Sequence, residues 1–171
     1  MPKAEKEKKL ETWKEIPEFD RYSVSDHGRV RNDQTDRIMR LSFNQYGLLT
    51  VGMMHCGTQF RRSVPLLVAR EFVPGGTEIF NTPINLDGDR ENNHANNLAW
   101  RPHWFAVKYN RQFLDGYGVL IDRRIRNCKT GDVFADSFEC AKWYGVLEWD
   151  LKESIEYRTF VWPVFQEFEI L

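Results

Sequence analysis

The chain has 171 residues, 42% hydrophobic and 14% aromatic, which is enough apolar material for one large packed domain or two to three small modules. Its 24 Lys and Arg against 25 Asp and Glu give a net charge of -1, so the whole chain is not the polycation expected of a protein that grips a nucleic-acid backbone by bulk charge. No apolar run approaches the roughly 18 residues of a membrane span, and the lysine-rich start Met1 to Lys9 lacks the apolar core of a signal peptide. Cys56, Cys128 and Cys140 form no Cys-x-x-Cys pair, which disfavours a disulfide framework or a zinc knuckle and predicts a reducing, intracellular setting.

Residues 1–10 read as a disordered, solvated start, and residues 11–63 as an N-terminal β module. Short strands are expected at Trp13 to Ile16, Tyr22 to Ser25, Arg29 to Arg31, Arg37 to Leu41, Leu48 to Val51 and Phe60 to Val64, with Gly28, Gly47, Gly52 and Gly57 between them. Leu66, Leu67, Ala69 and Phe72 then form an apolar face at helical spacing, stopped at Val73-Pro74-Gly75-Gly76. The segment 84–113 is a polar, Asn- and Asp-rich loop that leads into Leu98-Ala99-Trp100 and a helix from His103. Asp115-Gly116-Tyr117-Gly118 reads as a linker. Beyond it, Ile121 to Val133 alternates around the turn Lys129-Thr130-Gly131-Asp132. Helical patterns over Ser137 to Tyr144 and Glu148 to Ile155 break at Gly145, with the Ser137 hydroxyl as the expected N-cap, and an apolar tail closes the chain.

Three stretches carry a resemblance. Glu11-Thr12-Trp13-Lys14-Glu15-Ile16-Pro17 followed by Tyr22-Ser23-Val24-Ser25-Asp26-His27-Gly28-Arg29-Val30-Arg31 resembles the small β module that opens many phage HNH homing endonucleases. Val64 to Pro74, Asp87-Gly88-Asp89, Asn92-Asn93, Asn96-Asn97-Leu98 and Trp100 are similar to the HNH domain of that family. Thr130 to Phe134, Ala141, Gly145-Val146, Ser154-Ile155 and Trp162 look like its closing helix-turn-helix repeat. The resemblance implies an α+β fold: a small antiparallel β module at 11–63, a degenerate HNH-like ββα-metal core at 64–114, and a C-terminal β-hairpin plus helix-turn-helix module at 119–171. It also implies a protein of the cytoplasm of a phage-infected bacterial host.

In that family a histidine is the general base on water, and acidic or amide side chains hold one divalent metal against the scissile phosphate. This chain departs from the pattern at each position. Where the family reads Asn-His-x-Asp-Gly-Asp, the chain reads Ile84-Asn85-Leu86-Asp87-Gly88-Asp89, so either Asn85 replaces the histidine or the histidine is deleted. The helix asparagine falls at Ala106, and a second family histidine falls at Pro65. The degenerate positions Asn85, Asp87 and Ala106 therefore predict no catalytic residues and no metal site, with Mg²⁺ relevant only if nicking survives through His94 or His103. The Asn/Asp/Gly cluster reads as a turn that bonds its own backbone, and His55 beside Cys56 as an incidental pair.

From Gly116 onward seven basic residues face ten acidic ones, a balance of -3, and the rest of the chain carries +2. Arg29, Arg31, Arg37, Arg40, Arg61 and Arg62 on neighbouring strands, with Lys108 and Arg111 on the following helix, form the expected DNA-contacting set. Trp13, Tyr22, Trp100, Trp143 and Trp162 are expected in cores. Trp149, ringed by Glu148, Asp150 and Glu153 on a helix with Leu147, Leu151 and Ile155 turned inward, is the candidate protein interface. The leading expectation is a catalytically degenerate, DNA-binding or DNA-associated regulator. The alternatives are a repurposed inhibitor of a host or phage protein complex and a residual metal-dependent nickase, and no membrane partner is expected.

Overall fold

The computed structural model describes residues 10–114 and 118–171, so most of the expected linker and of the N-terminal start lies outside the described residues. The chain is a mixed α/β protein of small antiparallel sheets and four helices among the described residues. It divides into two compact units, one running to Pro74 with Glu91–Asn96, the other comprising Gly75–Arg90 and Asn97–Leu171.

In the first unit, β1 (Trp13–Ile16), β2 (Phe19–Ser25), β3 (Val30–Asn32) and β4 (Arg37–Ile38) form a sheet in sequence order. β5 (Leu41–Phe43), β6 (Leu49–His55) and β7 (Thr58–Ser63) form a second meander. The β6–β7 hairpin closes on Cys56 and Gly57, both at positive φ (47° and 78°), the two-residue turn whose twist suits paired strands. Phe19, Tyr22, Val24, Val30, Val51 and Met53 are buried. Beside them lies α1 (Val64–Phe72), which carries Pro65 in its first turn, where the missing N–H has no partner to lose. α1 contacts β1, β2, β6 and β7, so this unit extends to Pro74, past the boundary expected at residue 64. Gly28, at φ 83°, lies against Asn93, whose Cβ would stand 3.0 Å from any added Cβ. The Asn-rich segment is fixed here too, because Ala95 N–H donates to the Asp26 carbonyl at 2.8 Å.

In the second unit, β8 (Thr82–Asn85) and β9 (Leu98–Arg101) pair antiparallel and α2 (His103–Gln112) packs on β8. The C-terminal part has β10 (Ile125–Asn127) between β11 (Val133–Phe134) and β12 (Phe168–Ile170), with α3 (Ser137–Tyr144) and α4 (Glu148–Tyr157). Its core is Ile125, Phe134, Cys140, Ala141, Val146, Leu151, Val161 and Phe168. Burial pushes the Cys140 thiol up to about 12, so it is an inert core residue.

Three sequence expectations differ from the structure here. The N-cap of α3 is Asp136, which accepts from Glu139 N–H at 2.7 Å, and Ser137 is the buried residue after it. Trp143 is 68% exposed, because α3 turns the smaller Cys140 and Ala141 inward. Along α4, Leu147, Leu151 and Ile155 pack inward as expected, but Glu148 and Ser154 are buried beside them, so the inward stripe is more polar than its apolar residues suggest.

Candidate functional site

The positions expected to have lost a hydrolytic centre lie on the β8–β9 hairpin and α2. Asn85 ends β8 and is buried, and Ala106 joins Ile84, Phe105 and Tyr109 in an apolar cluster where the family's helix asparagine would project. Asp87 stands in the loop, where its Oδ1 accepts from Asp89 N–H at 2.9 Å and from Asn97 Nδ2 at 2.8 Å. These bonds close an Asx-type turn, the arrangement that Asn, Asp and Gly clusters adopt without any ligand. Gly88, at φ 78°, lies under the Phe113 ring, which would stand 2.4 Å from an added Cβ. Tyr109 Oη donates to the Leu86 carbonyl at 2.7 Å, and burial pushes its phenol well above the ordinary range. Ala106 thus brings no ligand atom to α2, Tyr109 has its hydroxyl on a backbone carbonyl, and Asp87 supplies a carboxylate in this hairpin loop. Among the described residues no three His, Cys, Asp or Glu side chains converge to hold a metal ion, and of the three positions Asp87 and Asn85 carry oxygen ligand atoms while Ala106 carries none.

The histidines considered as substitutes fall elsewhere. His94 belongs to the first unit, where its ring lies 4.5 Å from that of His27 and its Nδ1 accepts from Asn96 N–H at 3.2 Å. His103 is the exposed first residue of α2.

The arginines of the first unit divide into paired and unpaired sets. Arg29 forms a two-point ion pair with Glu11, with Nε 2.8 Å from Oε1, and the guanidinium holds the Glu11 carboxyl down at about 2. Arg31 reaches Asp33 at 3.0 Å and Asp36 at 3.8 Å, and both Arg29 and Arg31 lie over the half-buried Trp13 ring. Arg62 lies over Phe19 and Phe60 and 3.4 Å from Glu18, a carboxylate that Arg70 also reaches at 2.9 Å. Arg37, Arg40 and Arg61 are exposed and have no acidic partner among the described residues. The expected cluster is thus not one bare cationic face, because adjacent Arg61 and Arg62 project to opposite sides of β7.

In the second unit, Lys108 and Arg111 lie one turn apart on the exposed side of α2 and line a cavity of about 480 Å³ with Trp149. Trp149 is 61% exposed, as expected, but Lys152 Nζ lies 5.2 Å over its ring. Glu148 is withdrawn from the expected acidic rim: it is buried, and its Oε1 accepts from the Ser137 hydroxyl and, at 2.8 Å, from Leu120 N–H. Asp150 keeps a place on the rim, with burial raising its carboxyl and Lys108 opposing that rise.

Two structural residues escaped the sequence reading. Arg101, only 8% exposed, donates to the carbonyls of Trp100 (2.8 Å), Tyr144 (2.8 Å) and Gly145 (3.0 Å), capping the C-terminus of α3. Asn127 is fully buried, and its Oδ1 accepts from Lys129 N–H and Thr130 N–H, closing the hairpin. An Asn two residues before Lys-Thr-Gly is the signal that marks the second; no local pattern marks the first.

Residues 11–53 match the NUMOD4 motif. Two uncharacterized HNH endonucleases of Acanthamoeba polyphaga mimivirus are similar: one 28% identical over 127 residues, covering 74% of this chain and 37% of the relative, the other 36% identical over 100 residues, covering 54% and 24%. The chain thus spans well under half the length of these relatives. A solved structure described as DNA binding and cleavage by the HNH homing endonuclease I-HmuI shares the fold, with TM-score 0.54, 18% identity, and coverage of 94% of this chain and 98% of that one.

Proposed function

We propose that this chain, HNH homing endonuclease-like in motif and fold, is a DNA-associated protein that binds duplex DNA without hydrolysing it. The observation that carries the reading is the replacement of the expected ligand and base positions by a closed turn at Asp87, a buried amide at Asn85 and an apolar cluster around Ala106. Phosphodiester hydrolysis needs a base near neutrality and a positive centre against the developing phosphate charge, and the histidine of β8, β9 and α2, His103, stands at the exposed start of α2 rather than on the hairpin strands. What remains suited to DNA is a set of cationic side chains on ordered elements: Arg37, Arg40 and Arg61 in one unit, Lys108 and Arg111 in the other. The C-terminal pair of helices supports the same reading through its resemblance to a helix-turn-helix repeat. A viral setting is part of the proposal, since both sequence relatives are from a mimivirus, and a bacteriophage in its bacterial host is the narrower form that the resemblance implies. Among the described residues no helix is long and apolar enough to cross a membrane.

The test is fluorescence anisotropy on a labelled duplex across a salt series, run beside a plasmid-nicking assay with Mg²⁺ or Mn²⁺. Binding that weakens linearly in log salt, with no nicking above the metal-only control, is the expected result. Cutting abolished by Asp87→Ala overturns the reading.

A second reading is favoured by one feature of the C-terminal module: Trp143, Trp149, Tyr157, Phe160 and Phe165 are each more than 60% exposed. Exposed aromatics at this density suit a protein partner. Capture of a protein that survives nuclease treatment and is lost with Trp149→Ala supports this second reading over DNA.

A further inference from the structure

We infer that the cavity formed by α2 and the start of α4 receives one unpaired nucleotide, its base against Trp149 and its phosphate beside Lys108 and Arg111. The inference rests on the DNA-associated reading and names which part of DNA this site takes. At about 480 Å³ the cavity falls within the range of about 300–1,000 Å³ for small-ligand sites. Its apolar side is Leu120, Leu147 and the exposed Trp149, an aromatic platform for a base that also carries Lys152 Nζ 5.2 Å over its ring. Its polar side comes from α2, where positions 108, 111 and 112 share one helical face. Lys108 and Arg111 outnumber the one carboxylate in the lining, Glu148, whose Oε1 is already bonded to Ser137 and Leu120.

Gln112 joins the two helices that form the cavity. Its Oε1 accepts from Glu148 N–H at 3.2 Å, which orients the amide, and its Nε2 is the one buried side-chain polar atom without a partner among the described residues. A duplex keeps its bases stacked and paired, so the ring that enters must be unpaired, whether in a single strand or as a free nucleotide. An aromatic platform beside two cations is the combination by which single strands are held.

The test uses the full chain with a fluorescein-labelled oligodeoxythymidylate of about 12 nucleotides, a length within the usual single-strand site sizes. Trp149→Ala is expected to weaken binding about tenfold and Trp149→Phe to retain most of it, as a stacking role requires. Lys108→Gln with Arg111→Gln is expected to weaken it comparably and flatten the salt dependence. Competition by dTMP identifies a free nucleotide as sufficient, and no competition identifies the strand as the ligand. Equal affinity of folded Trp149→Ala and the native chain for the oligonucleotide overturns the inference. If duplex binding persists in that case, the DNA-associated reading stands without it; if neither DNA is bound, both fail.

Discussion

Both units carry surface ion pairs, Arg126 with Glu169 in the second, and a buried carboxylate, Asp26 in the first and Glu148 in the second, but among the described residues an arginine is buried only in the second unit. In the β-rich unit Arg29, Arg31 and Arg62 lie at the surface, paired with Glu11, Asp33 and Glu18 or laid over aromatic rings. In the second unit Arg101 and Glu148 are buried, and each holds backbone or hydroxyl groups that would otherwise go unsatisfied. Exposed pairs of the first kind are worth little to stability, typically about 0–1 kcal/mol, and their arginines stay exchangeable between carboxylate and phosphate. Charges of the second kind cannot be exchanged, because removing one leaves its partners buried and unbonded. A charge count that sums them hides this division: the acidic balance of the C-terminal region includes Glu148, whose carboxylate is committed to interior donors.

The division between the units breaks first at Arg101. Arg101→Ala strands three carbonyls and is expected to cost about 3–4 kcal/mol, lowering the melting temperature by about 8 °C or more, measured by calorimetry. A loss under about 1 kcal/mol would place Arg101 with the surface arginines. Glu148→Ala comes next, expected to cost about 2–3 kcal/mol because two donors lose their acceptor, whereas Glu148→Gln keeps one and costs about 1 kcal/mol in denaturant titration. For the surface set, replacing Arg37, Arg40 and Arg61 together by Gln is expected to leave stability within about 0.5 kcal/mol. The same variant should weaken duplex binding and reduce the slope against log salt by about 3, one for each phosphate left without its arginine. An unchanged slope would remove these arginines from the DNA-contacting surface.

The smallest effect concerns Glu11. Its carboxyl is held at about 2 in the folded chain, against an ordinary value of 4.5, by the Arg29 guanidinium. A lowered folded pKa means that the contribution is fully present above 4.5 and fades as pH falls through 2. For a surface pair this amounts to less than about 1 kcal/mol. Stability measured from pH 5 to pH 2 should fall slightly less in Glu11→Gln than in the native chain. The same variant releases Arg29 and should strengthen duplex binding by up to about fivefold at low salt if Arg29 touches phosphate.

The order of elements was legible from turn residues and apolar spacing, since Gly57, Gly145 and Pro74 punctuate the chain where the structure turns. What could not be read was the direction of side chains whose partners are distant in sequence. Glu148 meets Ser137 eleven residues away and Leu120 at a separation of 28, and Arg101 meets Gly145 at 44. Periodicity assigns a charged residue to the solvent face by default, and only the tertiary partner reverses that. Trp143 failed in the other direction: an aromatic residue was assigned to the core, but α3 fills its inner face with Cys140 and Ala141.

The claim that this chain holds DNA without cutting it is tested most directly by incubating supercoiled plasmid with excess protein and Mg²⁺ and reading binding and nicking from the same samples. The account predicts a salt-sensitive mobility shift with no nicked circles above the metal-only control. Nicked circles that accumulate with protein and vanish in Asp87→Ala would contradict it.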